Sequence, residues 1–104
     1  GKTITLVAPY NVTSGQGLLV GSIFGVACAD ALSGADVETL LEGVLTLAKA
    51  TGAAWTQGAL IYWDNTAKNC TTTASTNKLI GTAVVAAASG DTVGNVRLSA
   101  AFTL

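Results

Sequence analysis

Alternating hydrophobic and polar residues predict β-strands near both ends of the chain. Residues 3–7 (TITLV) alternate until Pro9 breaks the pattern. Towards the C-terminus every second residue is apolar, namely Val96, Leu98, Ala100, Phe102 and Leu104. A period of two sustained over this length is typical of a strand with one buried face.

Residues 36–50 (DVETLLEGVLTLAKA) fit either a strand or a helix. Their apolar residues share one face at helical spacing, and Asp36 could cap the first turn. As a strand, the segment places Val37, Leu41, Leu45 and Leu47 on one face. Gly43 would cost a helix about 1 kcal/mol, but the periodicity leaves both structures open.

An internal repeat favours the strand. Residues 23–37 (IFGVACADALSGADV) resemble residues 79–93 (LIGTAVVAAASGDTV) at an offset of 56 positions. The second copy leads into the clear C-terminal strand, so the chain after Val37 is predicted to begin as a strand too. A short helix remains the alternative.

The repeat also predicts an insertion in the second half. Residues 16–20 (QGLLV) match residues 57–61 (QGALI) at an offset of only 41, so the second half holds 15 additional residues. Residues 64–69 (DNTAKN) have turn chemistry, and residues 69–73 favour a strand. We therefore predict a hairpin insertion at residues 64–78. Tyr62 and Trp63 would brace its base, with one ring facing inwards and one outwards.

These patterns predict a mainly β protein. Its 104 residues suit one domain, 1–104, with an N-terminal arm or strand at residues 1–10. The expected architecture is a small β-barrel-like or sandwich-like domain with internal pseudo-duplication and possibly one short helix.

Low charge predicts that the surface contacts other protein. Charged residues make up 11% of the chain, against about 25% in a typical soluble domain. Free monomers usually stay soluble through mixed surface charge. The alternative is a small β protein whose exterior is rich in hydroxyls. A net charge of −1 with five scattered bases argues against nucleic acid as a partner.

Catalytic and metal-binding patterns are missing from the sequence. There is no His to act as a general base. The close acids Asp36, Glu38 and Glu42 are typical of a solvated rim, and no ligand cluster predicts a metal. The cysteines Cys28 and Cys70 lack C-x-x-C spacing. They could pair, but the expectation for a protein made in the cytosol is two free and buried thiols. We expect no enzyme activity and no cofactor.

A membrane partner is not expected either, because the apolar run at residues 17–29 is too short to span a bilayer.

The two tryptophans, Trp55 and Trp63, have three interpretations. Both lie in loop-like or hairpin sequence, which is typical of protein interfaces. They could equally fill a core short of bulky side chains, or bind a sugar.

Longer motifs carry a family resemblance. They are "LIYWD" at residues 60–64, "LIG" at 79–81, "GDT" at 90–92 and "VRL" at 96–98. With these motifs, the chain from about residue 7 to residue 98 resembles a family of small tailed-phage capsid decoration, or cement, proteins. Family members often have Pro where this chain has Ala48. Some carry the name RecA-like recombinase, but this sequence has no phosphate-binding loop or basic groove.

The resemblance implies a structural virion protein made in the bacterial host cytoplasm. It would bind the outer capsid surface as a homotrimer and stabilise the shell by bridging subunits of the major capsid protein. The alternatives are another virion component, such as a head fibre base or tail subunit, or a small carbohydrate-binding module. The candidate partner contacts are Thr3, Thr5, Tyr10, Trp55 and Trp63. Thr3 and Thr5 lie on an uncharged strand that could add to a sheet edge.

Overall fold

The computed structural model describes residues 3–98, and these form an all-β fold without a helix. The strands in chain order are β1 (Thr3–Val7), β2 (Gly17–Val20), β3 (Ile23–Ala27), β4 (Asp36–Leu40), β5 (Gly43–Ala48), β6 (Leu60–Asp64), β7 (Asn69–Thr71), β8 (Lys78–Ala83) and β9 (Val93–Leu98). The predicted mainly β class is therefore confirmed.

Two antiparallel sheets repeat one topology. The first sheet has the order β1-β4-β3-β2, and the second has the order β5-β9-β8-β6-β7. The four strands of the first sheet correspond in order to β5, β9, β8 and β6. Isolated bridges, Val12 with Ala31 and Trp55 with Ala87, occupy matching loops. The predicted pseudo-duplication is confirmed, and β7 is the strand without a counterpart. We call residues 3–42 the first repeat and residues 43–98 the second repeat.

The ambiguous segment forms two strands, so the helical alternative is wrong. β4 ends at Leu40, and β5 starts at Gly43 in the other sheet. Gly43 has a φ of 117°, a conformation that glycine adopts without strain. Its left-handed backbone lets the chain leave one sheet and enter the next while Val37, Leu41 and Leu47 all stay buried.

Both terminal strand predictions agree with the described residues. β1 covers residues 3–7 as expected. In β9, Val96 and Leu98 are buried while Arg97 is exposed, which gives the predicted period of two. The continuation of that pattern at residues 100, 102 and 104 lies outside the described residues.

Two hydrophobic cores share β3. The larger core consists of Phe24, Val26, Leu47, Trp55, Ile61, Trp63, Cys70, Ile80, Ala83, Val96 and Leu98. The smaller core consists of Ala8, Val12, Leu18, Ala27 and Val37. Because successive strand residues point to opposite faces, β3 supplies Phe24 and Val26 to one core and Ala27 to the other. The ring centroids of Phe24 and Trp63 lie 4.9 Å apart, so the two repeats pack directly together.

The second sheet curls into a half-barrel. The Ala50 N–H donates to the Cys70 carbonyl oxygen at 2.8 Å, and Lys49 forms a parallel bridge with Cys70. These contacts bring the end of β5 to β7, the opposite edge of the same sheet.

Candidate functional site

One face of the second sheet points away from both cores. Residues directly opposite in an antiparallel pair share a face, so the register aligns Val44, Arg97, Thr82 and Leu60 in one row across β5, β9, β8 and β6. We define the outer face as Val44, Thr46, Ala48, Leu60, Thr82, Val93, Asn95 and Arg97.

The outer face is apolar for a surface in contact with water. Val44, Leu60 and Val93 are 58%, 53% and 53% exposed. Thr46 donates its hydroxyl to the Asn95 side-chain oxygen at 2.8 Å, so part of its polar surface is already paired. The shortage of charge in the sequence thus appears here as a sheet face whose defined residues include one charged side chain, Arg97, and such a face is suited to contact with another protein.

The N-terminal strand β1 is an edge strand with an open side. Within residues 3–98 it pairs with β4 and with no other strand. The Ala8 N–H donates to the Ala35 carbonyl at 2.8 Å, and the Cys28 N–H donates to the Glu38 carbonyl at 2.9 Å. Because antiparallel bonding alternates along a strand, the backbone groups of Thr3, Thr5 and Val7 point to the open side.

The side chains of Thr3 and Thr5 lie exposed on one face of the first sheet. Both hydroxyls donate to the Glu38 carboxylate, at 3.2 Å and 2.6 Å respectively. Val7 follows on the same face and is 55% exposed. These two predicted contact residues are therefore accessible, and they hold the Glu38 carboxylate in a fixed position.

Tyr10 is half-buried and joins the two repeats. Its hydroxyl donates to the Gly17 carbonyl at 2.8 Å. The Lys68 ammonium of the second repeat lies 4.3 Å from the centre of its ring. Burial raises the pKa of Tyr10 above its usual value. Tyr10 and Lys68 line a cavity of about 240 Å³ between the repeats, so a partner could reach only part of the ring.

Trp55 and Trp63 lie in the larger core, each 2% exposed. Their rings fit against glycines: a Cβ built on Gly94 would lie 2.3 Å from Trp55, and one on Gly17 would lie 2.8 Å from Trp63. Trp63 also donates its indole N–H to Asn65 at 3.0 Å. Of the three interpretations of the tryptophans, both rings therefore fit the one in which they fill the core, and neither presents an open face to a partner or a sugar.

The β6–β7 hairpin is closed by Asp64. Its carboxylate accepts the N–H groups of Thr66 at 2.9 Å and Ala67 at 3.1 Å. Lys68 completes the turn with a φ of 59°. Beside the hairpin lies a polar cavity of about 560 Å³, and the Asn69 side-chain oxygen, which lines it, has no hydrogen-bond partner among the described residues.

Other reactive side chains among the described residues include Lys49 and the two cysteines. Lys49 is 3% exposed, and its ammonium donates to the carbonyls of Ala53 at 2.8 Å and Ala50 at 3.1 Å. Both cysteines are free; Cys70 is buried as expected, but Cys28 is exposed, so the expectation of burial is wrong for Cys28. Burial raises the pKa of the Cys70 thiol to about 12.

Within residues 3–98, no three His, Cys, Asp or Glu side chains are grouped to hold a metal. Those residues also include no helix long and apolar enough to cross a membrane.

The outer face was missed by sequence reasoning, although part of its pattern is visible. In β5 both alternating sets are apolar or small, since Leu45 and Leu47 alternate with Val44 and Ala48. Alternation alone therefore could not tell the buried face from the exposed one. The pairing with β9 decides it, because Val96 is buried and lies opposite Leu45.

Comparison with known proteins gives one result. The family model described as phage cement protein matches residues 1–98, which is nearly the whole chain. Searches of curated proteins and of solved structures gave no significant match. The matched family has a structural role associated with the phage capsid. The chain belongs to the phage cement protein family.

Proposed function

We propose that this protein binds the outer surface of a phage capsid and stabilises the shell by bridging subunits of the major capsid protein. The observation that supports this proposal best is the open edge of β1. It offers the backbone groups of Thr3, Thr5 and Val7 beside uncharged side chains. A strand of a capsid subunit can add to such an edge through main-chain hydrogen bonds.

Binding of this protein would stabilise the shell through mass action. A protein that binds the assembled shell more tightly than free subunits adds its binding free energy to the assembled state. Repetition over the lattice multiplies weak contacts through avidity. Each copy of the homotrimer carries one open β1 edge, so one trimer offers several contact sites, which is what a bridge between neighbouring subunits requires.

We also propose that the protein acts as a homotrimer, is made in the bacterial host cytoplasm, and works without catalysis or nucleic acid. In support, the ammonium of Lys49 is engaged by backbone carbonyls, and the five bases of the chain are scattered along the sequence.

A proline substitution tests the edge directly. Thr5→Pro removes an N–H on the open side of β1 and leaves the bonds to β4 intact, because proline is tolerated on edge strands. Thr5→Ala is the matched control, since it removes the same hydroxyl contact with Glu38 and keeps the N–H. Each purified protein is mixed with undecorated phage heads, and the bound copies per head and the heat resistance of the heads are measured.

We expect the wild type and Thr5→Ala to bind and to raise the temperature at which the heads break. Thr5→Pro should bind at least about tenfold more weakly, the equivalent of about 1.4 kcal/mol. Equal binding by Thr5→Pro and Thr5→Ala would exclude the β1 edge. Failure of the wild type to bind heads would exclude capsid decoration itself. Location on a fibre or tail by electron microscopy, or binding on a glycan array, would favour the two alternatives.

A further inference from the structure

The two repeats carry opposite charge. Residues 3–42 contain four acids and no base, namely Asp30, Asp36, Glu38 and Glu42. Residues 43–98 contain four bases and two acids, a net charge of +2 against −4 in the first repeat. The Cα positions extend 35 Å along the longest axis and 23 Å along the others. The molecule therefore has a charge difference between two similar sheets that are joined in tandem.

Arg97 is the basic group on the outer face. It is exposed on β9, and its neighbours across the strands are Val44 and Thr82. No hydrogen bond or ion pair joins it to another side chain of residues 3–98. With no ionic partner among the described residues, the guanidinium stands among exposed aliphatic side chains, which is the composition of an interface centre, where arginine is enriched.

A complementary acidic face lies on the first sheet. Asp36 and Glu38 of β4 share a face with Val7 and Thr5 of β1, which are their respective partners in the ladder. The two threonine hydroxyls hold Glu38 in place at 2.6 Å and 3.2 Å. Less side-chain entropy is lost when such a fixed carboxylate binds. Val7, 55% exposed, adds an apolar neighbour.

We propose that the acidic face of one copy docks on the outer face of a second copy of this chain. Asp36 and Glu38 face Arg97 of the neighbour, and Val7 packs with Val44 and Leu60. This inference deepens the proposed homotrimer and rests on it only for the number of copies. The contact uses the face of β1, whereas the proposed capsid contact uses its backbone edge, so both can form at once.

The charges decide the geometry of this contact. If two outer faces met each other, like charges would be opposed, and such arrangements cost several kcal/mol. Contact between an acidic and a basic face is instead heterologous, or head to tail, and such contacts close into rings when the rotation allows. The ion pairs supply orientation and rate, because exposed pairs contribute only about 0–1 kcal/mol. The aliphatic side chains supply the affinity.

The proposal is tested by reversing the charge of each face separately and then of both faces in one protein, which we call the double exchange. Arg97→Glu makes the outer face acidic, and Asp36→Lys with Glu38→Lys makes the acidic face basic. Lys78→Glu is the control: it has the same change in charge as Arg97→Glu, but Lys78 lies opposite the buried Trp63 on the other face of the second sheet. Sedimentation equilibrium over a range of concentrations gives the association constant of each protein, and circular dichroism confirms folding.

We expect the wild type and Lys78→Glu to associate equally. Each face reversal should weaken association at least about tenfold, and the protein with both faces reversed should recover most of it. A double exchange that fails to recover, or an Arg97→Glu that associates like Lys78→Glu, would overturn the head-to-tail contact. A wild type that stays monomeric at high concentration would overturn it as well.

The same samples separate this inference from the proposed function. If the wild type binds phage heads but its association is insensitive to both reversals, the contact between copies is excluded and capsid decoration stands. If the reversals change association as expected but no protein binds heads, capsid decoration is excluded and the contact stands.

Discussion

Substitution of Gly94 tests whether Trp55 belongs to the core of this protein or to a partner surface. A Cβ at position 94 would lie 2.3 Å, 2.8 Å and 3.0 Å from three carbon atoms of the Trp55 ring, whereas carbon atoms in contact are normally about 3.5–4.0 Å apart. The ring cannot retreat easily, because the Trp55 N–H and carbonyl are both bonded to Ala87, at 2.8 Å and 3.1 Å. β9 is also held between β5 and β8.

The expected cost follows from these distances. Overpacking of this kind costs about 1–3 kcal/mol, and the displacement of more than 1 Å needed here places Gly94→Ala near the upper end. Replacing glycine also lowers the conformational entropy of the unfolded chain, which raises the free energy of unfolding by about 0.4–1 kcal/mol. The net expectation is a free energy of unfolding lower by about 2 kcal/mol. For a domain of this size that corresponds to a Tm lower by about 10 °C.

Gly90→Ala is the matched control. Gly90 has no atom within 4 Å of a built Cβ and no positive φ, so this variant should be neutral or more stable by about 0.5 kcal/mol. Urea unfolding followed by tryptophan fluorescence and circular dichroism measures both variants. If Gly94→Ala unfolds like Gly90→Ala but binds phage heads less well, Trp55 is a surface contact and the packing argument is refuted.

Three further outcomes follow from single contacts. A thiol reagent at pH 8 should modify one cysteine per native chain, the exposed Cys28, and two after unfolding; two fast native reactions would contradict the burial of Cys70. Burial raises the pKa of the Cys70 thiol from 9.0 to about 12. The contribution of the protonated thiol to the free energy of unfolding is therefore complete below pH 9.0 and should be lost as the pH rises towards 12. Alkaline denaturation of the wild type and of a Cys70→Ala control measures this loss. Lys68→Met should lower the free energy of unfolding by about 0.5–1 kcal/mol through loss of the contact with the Tyr10 ring, while Lys68→Arg should retain it; equal loss in both would assign the effect to the turn.

Local pattern was sufficient to place the two terminal strands. β9 has the predicted period of two, with Val96 and Leu98 buried. In β1 the pattern placed the strand correctly, although Leu6 is its one partly buried residue and the other four are exposed. The repeated sequence then extended this information to residues 36–50, where local periodicity fitted two structures. Gly43 resolves that ambiguity physically, because its left-handed φ of 117° ends one strand and starts another.

Long-range packing could not be predicted in the same way. Whether Trp55 and Trp63 are buried depends on Gly94 and Gly17, which lie far away in the chain and supply the space for the rings. The register irregularity between Ile61 and Tyr62 likewise arises from pairing with β8. The candidate interaction surface required both the strand order and the register, since β5 is apolar or small on both of its sides.

The arrangement of sheet edges explains why β1 is the edge to test first. Exposed edge strands tend to pair with other chains, and folded proteins usually cover or charge them. β5 and β7 are joined at one end through Ala50 and Cys70. The edge of β2 is capped at Gly17, whose carbonyl accepts the Tyr10 hydroxyl, and the hairpin that carries β7 reaches the same ring through Lys68.

Among the described residues, none gives β1 comparable protection. No backbone hydrogen bond from residues 3–98 reaches its free side, and its five residues include no charge. A protein that left such an edge permanently in water would be prone to aggregate. The edge is consistent with a chain whose working state is an assembly, in which the shell covers the strand. Purified protein should therefore aggregate more slowly when Thr5→Lys places a charge on this edge, and the same variant should bind heads less well. A variant that changed neither property would show that β1 is not the contact strand.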